Sequence, residues 1–122
     1  MLDPIQIESI NAVRDLVHKN AVAKGFYDKP EGTIEFITRS VANLHGEASE
    51  LWEAARKGAL TLHCDKAAKM PEPLTCEEEE LADLVIRSFD HAGRRSIDIG
   101  RAISIKMAFN ATREYRHGNK AA

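Results

Sequence analysis

From Ile34 to Ala55, apolar residues recur at Ile34, Ile37, Val41, Leu44, Ala48, Leu51 and Ala55, in alternating steps of three and four. Only an α-helix of several turns lines such a series up on one side, because about 3.6 residues complete a turn. A stripe of that length is not stable facing water. The rest of the chain must supply helices to cover it.

Other helices are legible on either side. Asp3-Pro4-Ile5-Gln6 offers an N-cap, a proline at the first helical position and a glutamine three residues after the cap. Ile7, Ile10, Val13 and Val17 then predict a first helix running to about Lys24. A short connection, Gly25 to Gly32, leads into the striped helix, which Gly58 ends. Thr75-Cys76-Glu77-Glu78 is a capping box, and the four glutamates that follow Cys76 suit the positive end of a helix dipole. Leu81, Leu84, Val85, Ser88 and Ala92 mark the expected buried side of this third helix, roughly 76 to 94. A fourth helix is expected from near Ile97, with Ile99, Ala102 and Ile103 on its apolar face. Residues 59–75, with His63-Cys64-Asp65 and two prolines, have no sustained period and read as a loop with room for one helical turn. No alternating β pattern, internal repeat or low-complexity segment occurs. The expectation is an all-α, four-helix bundle forming one domain over residues 1–122.

At 122 residues the chain is too short to bury every face of several amphipathic helices, so a homodimer or homotetramer is expected. A net charge of −2 gives no reason to expect a nucleic-acid polymer or an anionic membrane as partner. No apolar run reaches the about 18 residues of a membrane span, and the start Met1-Leu2-Asp3-Pro4 lacks a basic region with a hydrophobic stretch after it. A cytoplasmic protein is expected. Cys64 and Cys76 are too few for a disulfide framework and read as free thiols.

Two acidic pairs with one spacing, Glu47-x-x-Glu50 and Glu80-x-x-Asp83, fall on the second and third helices. A three-residue step turns a helix by about 300°, so each pair aims two carboxylates in nearly the same direction. One such pair alone is ordinary helix surface, since Glu is a good helix former. Here both pairs border an apolar side, and Asp83, Arg87 and Asp90 continue the acidic arc of the third helix where aspartate is a poor helix former. Four converging carboxylates call for a hard divalent cation such as Mg²⁺ or Mn²⁺, and hence for phosphate chemistry. On the fourth helix Lys106, Asn110 and Arg113 extend the face of Ile99, Ala102 and Ile103. These residue types suit phosphate oxygens, although a helix leaving the core at Lys106 would look the same.

The order Glu47-x-x-Glu50, then Glu80-Leu81-Ala82-Asp83, resembles the E-x-x-E…E-x-x-D signature of the MazG-like all-α nucleoside triphosphate pyrophosphohydrolases. Leu84 to Asp90 and the stretch Lys106 to Gly118, with its K-x3-N-x2-R and R-H-G pattern, are similar to segments of small MazG-like proteins. The resemblance covers roughly residues 34–120 apart from the loop. It implies a helical bundle, dimeric or a dimer of dimers, that uses Mg²⁺ to cleave nucleoside or deoxynucleoside triphosphates into the monophosphate and pyrophosphate. It also implies Glu47, Glu50, Glu80 and Asp83 as metal ligands and Lys106, Asn110 and Arg113 at the phosphates. Gly46 departs from the pattern, because several relatives carry a second glutamate there as a candidate base. Glu50 or Glu53 takes that role, or the cation alone activates water, or activity is weak; a noncatalytic nucleotide-sensing protein is the alternative.

Trp52, Phe26 and Tyr27 are candidates to stack on a base, with core or subunit contact as the plainer use of a lone aromatic. His45 lies about 200° around the helix from Glu47 and should not share a metal with it. His91 is read as lying on the acidic face of the third helix. His63, Cys64 and Cys76 make no zinc pattern, no phosphate-cradling G-x-x-x-x-G-K-[ST] loop is present, and a di-iron bundle lacks its E-x-x-H pairs.

Overall fold

The computed structural model describes residues 1–116. Its helices are α1 (Pro4–Ala23), α2 (Thr33–Arg56), α3 (Cys76–Arg94) and α4 (Ile99–Ala111), with one 3₁₀ turn at Ala67–Lys69, and no strand occurs among the described residues. The all-α expectation is met. Asp3 accepts from the Gln6 amide at 2.8 Å while Gln6 Oε1 accepts from the Asp3 amide at 2.9 Å, closing the capping box read from sequence. Thr75 and Glu78 close the second one at the start of α3.

The segment between α2 and α3 is the expected loop with one helical turn, and one helix boundary differs from expectation. The loop between α2 and α3 doubles back on itself: the Cys64 amide donates to Leu74 O at 2.9 Å and the Cys76 amide to Leu62 O at 2.8 Å. Buried Cys64 and Ala67 plug the turn. The fourth helix starts two residues later than expected, because the Ile97 amide is spent on Ala92 O of α3 and Asp98 then caps α4 by accepting from the Arg101 amide.

The helices pack as a chain of neighbours rather than a closed bundle, α2 against α3, α3 against α1, and α1 against α4. Their register is fixed by contacts of long sequence reach. His18 of α1 meets Asp90 of α3 at 2.8 Å, and Arg14 reaches Ile97 O at 2.7 Å. Asn11 donates to Asp98 and accepts from the Gly100 amide, and the Leu2 amide donates to Ser104 Oγ at 2.9 Å. As α4 advances, its partners move back toward the start of α1. The two helices are antiparallel; the C-terminal half of α1 packs on α3, and α4 lies along its N-terminal half, beyond the end of α3.

The packed face of α4 is therefore Gly100 and Ser104, both buried, while Ala102 is exposed, correcting the face read from sequence. Backbone proximity is the reason. A Cβ on Gly100 would sit 2.6 Å from Ile7 O and 3.1 Å from Ile7 Cα. We expect Gly100→Ala to pry α4 from α1 at a cost of about 1–3 kcal/mol. An unchanged denaturant midpoint would count against this packing.

α3 also departs from its expected buried side. Leu81 and Val85 are 51% and 48% exposed, and on α2 Ile34 and Val41 are exposed as well. α1 ends at Ala23 and covers only the C-terminal part of α3, so the apolar flank of the hairpin stays open. Only Phe36, Cys64, Ala67 and Ala92 are buried apolar residues among those described. The accessible surface is 9063 Å², against about 6,600 Å² for a compact monomer of this mass.

Candidate metal centre

Antiparallel packing of α2 on α3 sets Glu47 opposite the turn carrying Glu80 and Asp83. One oxygen from each of these three carboxylates lies within 4.8 Å of the others. Glu47 is only 8% exposed. Its Oε1 accepts from Arg87 Nε at 2.9 Å, one turn further along α3. Glu47 Oε2 and Glu80 Oε2 are buried with no hydrogen-bond partner. A buried unpartnered carboxylate oxygen is costly, so this centre fits a species that satisfies several oxygens at once, a cation or a proton.

The electrostatics point the same way. Burial, reinforced by the Glu50 carboxylate and then by Glu79 and Asp83, pushes Glu80 up to about 7. Burial, followed by Glu47 and Glu79, also raises Asp83, while Lys66 and Arg87 pull it back. Lys66, from the loop, lies 3.5 Å from Glu79 and thus puts one positive charge at the rim. Sequence reasoning had no signal for it.

With cation chelated away, the folded protein holds a proton on Glu80 at pH values where the unfolded chain has lost it. Stability should accordingly fall as pH rises from the ordinary glutamate range through about 7. Thermal melts in EDTA should show this slope, and Glu80→Gln or added Mg²⁺ should flatten it. A wild-type slope identical to that of Glu80→Gln would refute the assignment.

Not every expected site residue joins the cluster. Glu50 is exposed at its edge, beside Glu80. Glu53 is turned away and clamped by Arg56 and by Lys57, the latter at 3.7 Å, which holds its carboxyl below the usual range. That leaves it a poor base. Trp52 is 67% exposed and lines an open apolar cleft of about 430 Å³ with Ala48, Leu51, Ala55, Leu60 and Leu81. A second cleft, about 690 Å³, lies on the other side of α3 between Met70, Leu74, Ala82, Asp83 and Ile86.

Lys106, Asn110 and Arg113 are not brought to the carboxylates of the same chain. Lys106 Nζ sits 4.9 Å from the Phe109 ring centre and Arg113 lies over the same ring at 5.7 Å. Asn110 Oδ1 is buried without a partner. His117 and Gly118 of the C-terminal pattern lie outside the described residues.

Asp90 and His91 belong to a different centre. Asp90 accepts from Tyr27 OH and pairs with His18, each at 2.8 Å, joining α1, the following connection and α3. Burial and then Asp90 hold the Tyr27 phenol well above its usual range. His91, one step around α3, turns to α2 instead of the acidic face. Its Nδ1 lies 2.7 Å from Ser40 Oγ, and its ring packs 5.3 Å from Phe36. Both serve the helix junction. His45 is not part of the carboxylate group.

No protein-family model matches the chain, and no curated protein or solved structure matches it. Among the described residues no helix is long and apolar enough to cross a membrane.

Proposed function

We propose that the protein is a Mg²⁺-dependent nucleotide pyrophosphohydrolase of MazG-like type, converting nucleoside or deoxynucleoside triphosphates to monophosphates and pyrophosphate. One observation carries the reading: Glu47, Glu80 and Asp83 converge within 4.8 Å, with two of their oxygens buried and unpartnered. Glu47, Glu80 and Asp83 would hold the cation, with Glu50 closing the set from the rim. A bound divalent ion lowers the pKa of water and offsets phosphate charge; Mn²⁺ suits the same oxygen donors. Arg87 holds the Glu47 carboxylate in place by its 2.9 Å hydrogen bond, as the outer shell of a metal site does. Glu50, the least buried of these acids, would serve as the base for an attacking water where it stays off the cation instead of closing the set. A homodimer or homotetramer in the cytoplasm, where triphosphates are made and used, completes this proposal.

The test is a screen of the eight common ribo- and deoxyribonucleoside triphosphates with Mg²⁺ or Mn²⁺, resolving pyrophosphate from orthophosphate. Pyrophosphate release abolished by EDTA is the expected result, and orthophosphate release or no turnover would sink the proposal. Gly46 favours one second reading, a nucleotide sensor without turnover. It lies on α2 with open space around the position of a Cβ, so Gly46→Glu adds a carboxylate without a clash. If wild type binds triphosphates without cleaving them, Gly46→Glu is expected to raise turnover; a variant equally inert would remove the missing base as the explanation.

A further inference from the structure

We infer that the loop between α2 and α3 is the substrate-binding wall of the carboxylate centre, with Lys66 pairing a phosphate of the nucleotide and the cleft beside it taking the nucleoside. The inference rests on the proposed hydrolase reading for what the substrate is, and on the geometry of this one chain for where it lies.

The carboxylates open toward one side of the hairpin. Asp83 borders the cleft of about 690 Å³, whereas none of the three converging acids lines the cleft beside Trp52 on the other side of α3. Positive charge reaches this centre from Arg87 and Lys66. Arg87 is held on Glu47 at 2.9 Å, while Lys66 stands at the rim, 3.5 Å from Glu79. Burial raises Asp83, and of the two cations that oppose the rise Lys66 acts more strongly than Arg87. The charge of Lys66 is thus felt at the acid that faces the open cleft.

The backbone at Lys66 is fixed and its tip is free. Buried Cys64 and Ala67 anchor the chain on either side, the Ala67 amide donating to Cys64 O at 3.1 Å and the Cys64 amide to Leu74 O at 2.9 Å. The Lys66 side chain itself is 68% exposed, and its contact with Glu79 is the loose kind of surface pair that contributes little to stability. An ammonium so placed is able to leave one carboxylate oxygen for a phosphate that carries more charge. Charge balance calls for that exchange. A divalent cation offsets only two of the negative charges gathered here and Arg87 is engaged with Glu47, so a triphosphate entering past Glu79 and Asp83 is repelled unless Lys66 turns to it. The rest of the cleft suits the uncharged end of a nucleotide. Glu72 and Glu79 on its walls disfavour phosphate, and Met70, Pro71, Leu74, Ala82 and Ile86 offer apolar surface for a base and sugar.

Two substitutions on the Lys66–Glu79 pair test the inference, read by calorimetry with inorganic tripolyphosphate in Mg²⁺ and by KM for whichever triphosphate is cleaved. Lys66→Ala should weaken tripolyphosphate binding and raise KM by roughly tenfold, with Lys66→Arg restoring most of the loss and Mn²⁺ affinity without phosphate not reduced. Glu79→Gln should do the reverse, tightening phosphate binding, because it frees Lys66 and removes a repelling charge. If the pair served only to hold the loop, both substitutions would weaken binding alike. That result, or a Lys66→Ala variant indistinguishable from wild type, would overturn the inference, as would a wild type that fails to bind tripolyphosphate. Ala82→Trp, which fills the cleft beside Asp83, should weaken nucleotide binding and spare tripolyphosphate; equal nucleotide affinity would reject the cleft as the nucleoside site. Lys66-dependent binding of tripolyphosphate by a wild type inert toward every triphosphate would keep the phosphate site and reject the hydrolase reading. Pyrophosphate release indifferent to Lys66 would keep that reading and reject the inference.

Discussion

Asp83→Ala should abolish Mg²⁺-dependent pyrophosphate release and weaken Mn²⁺ binding by more than about 100-fold, beyond what loss of an outer-shell contact usually does. The argument is positional. Asp83 is one of three carboxylates that converge within 4.8 Å, and it faces the cleft beside Met70 and Leu74, where a phosphate has room to approach. Removing it leaves Glu47 and Glu80 with one fewer negative charge beside them, so Glu80 should titrate lower while the fold is kept or strengthened. Loss of activity with retained or raised melting temperature is the expected combination. Unaltered Mn²⁺ affinity by calorimetry would show that Asp83 is not a ligand.

Phe36→Ala should cause the largest loss of stability of any single truncation, about 3–5 kcal/mol, lowering the melting temperature by roughly 10–20 °C at fixed protein concentration. Phe36 is 3% exposed and is the largest side chain among the few buried ones. Its ring packs on Tyr27 and His91, and Arg39 and Arg94 lie over it at 5.6 and 5.9 Å. Truncation therefore opens a cavity at the point where α1, α2 and α3 meet and loosens the polar pairs around Asp90 and Ser40. Trp52→Ala is the informative contrast, because Trp52 is larger yet 67% exposed within one chain. A monomer would hardly register its loss. A dimer closed over the α2–α3 flank should lose stability in a concentration-dependent way.

The helices were legible because their ends carry chemistry. Asp3 with Gln6 and Thr75 with Glu78 are local devices, complete within four residues, and they work the same way wherever the helix later packs. The pairing of Glu47 with Glu80 and Asp83 was legible for a related reason, since two helices joined by one loop have few ways to face each other. What failed was the assignment of faces. Ile99, Ala102 and Ile103 were read as the inner side of α4; Ile99 and Ile103 are half-buried there, but Ala102 is exposed and the close approach of α1 makes Gly100 and Ser104 the most buried positions, which hydropathy alone does not single out. Leu81 and Val85 look like core and are not core within one chain, because periodicity shows that a face needs cover without showing which molecule provides it. Asp90 was noticed as an aspartate out of place in a helix. Its partners, Tyr27 and His18, lie 63 and 72 residues away and carried no signal of their own.

Among the described residues the joint between α1 and α4 closes the longest loops, 102 residues from Leu2 to Ser104 and 89 from Asn11 to Gly100, against 40 from Glu47 to Arg87. Loop-closure entropy grows with that length, and the residues that make the joint are few and mostly polar. Every member of the carboxylate centre lies on α2 or α3, so closing it takes only the loop between those two helices and not the α1–α4 joint. The acidic centre therefore rests on contacts of short reach, whereas the position of α4 rests on the long-reach joint alone.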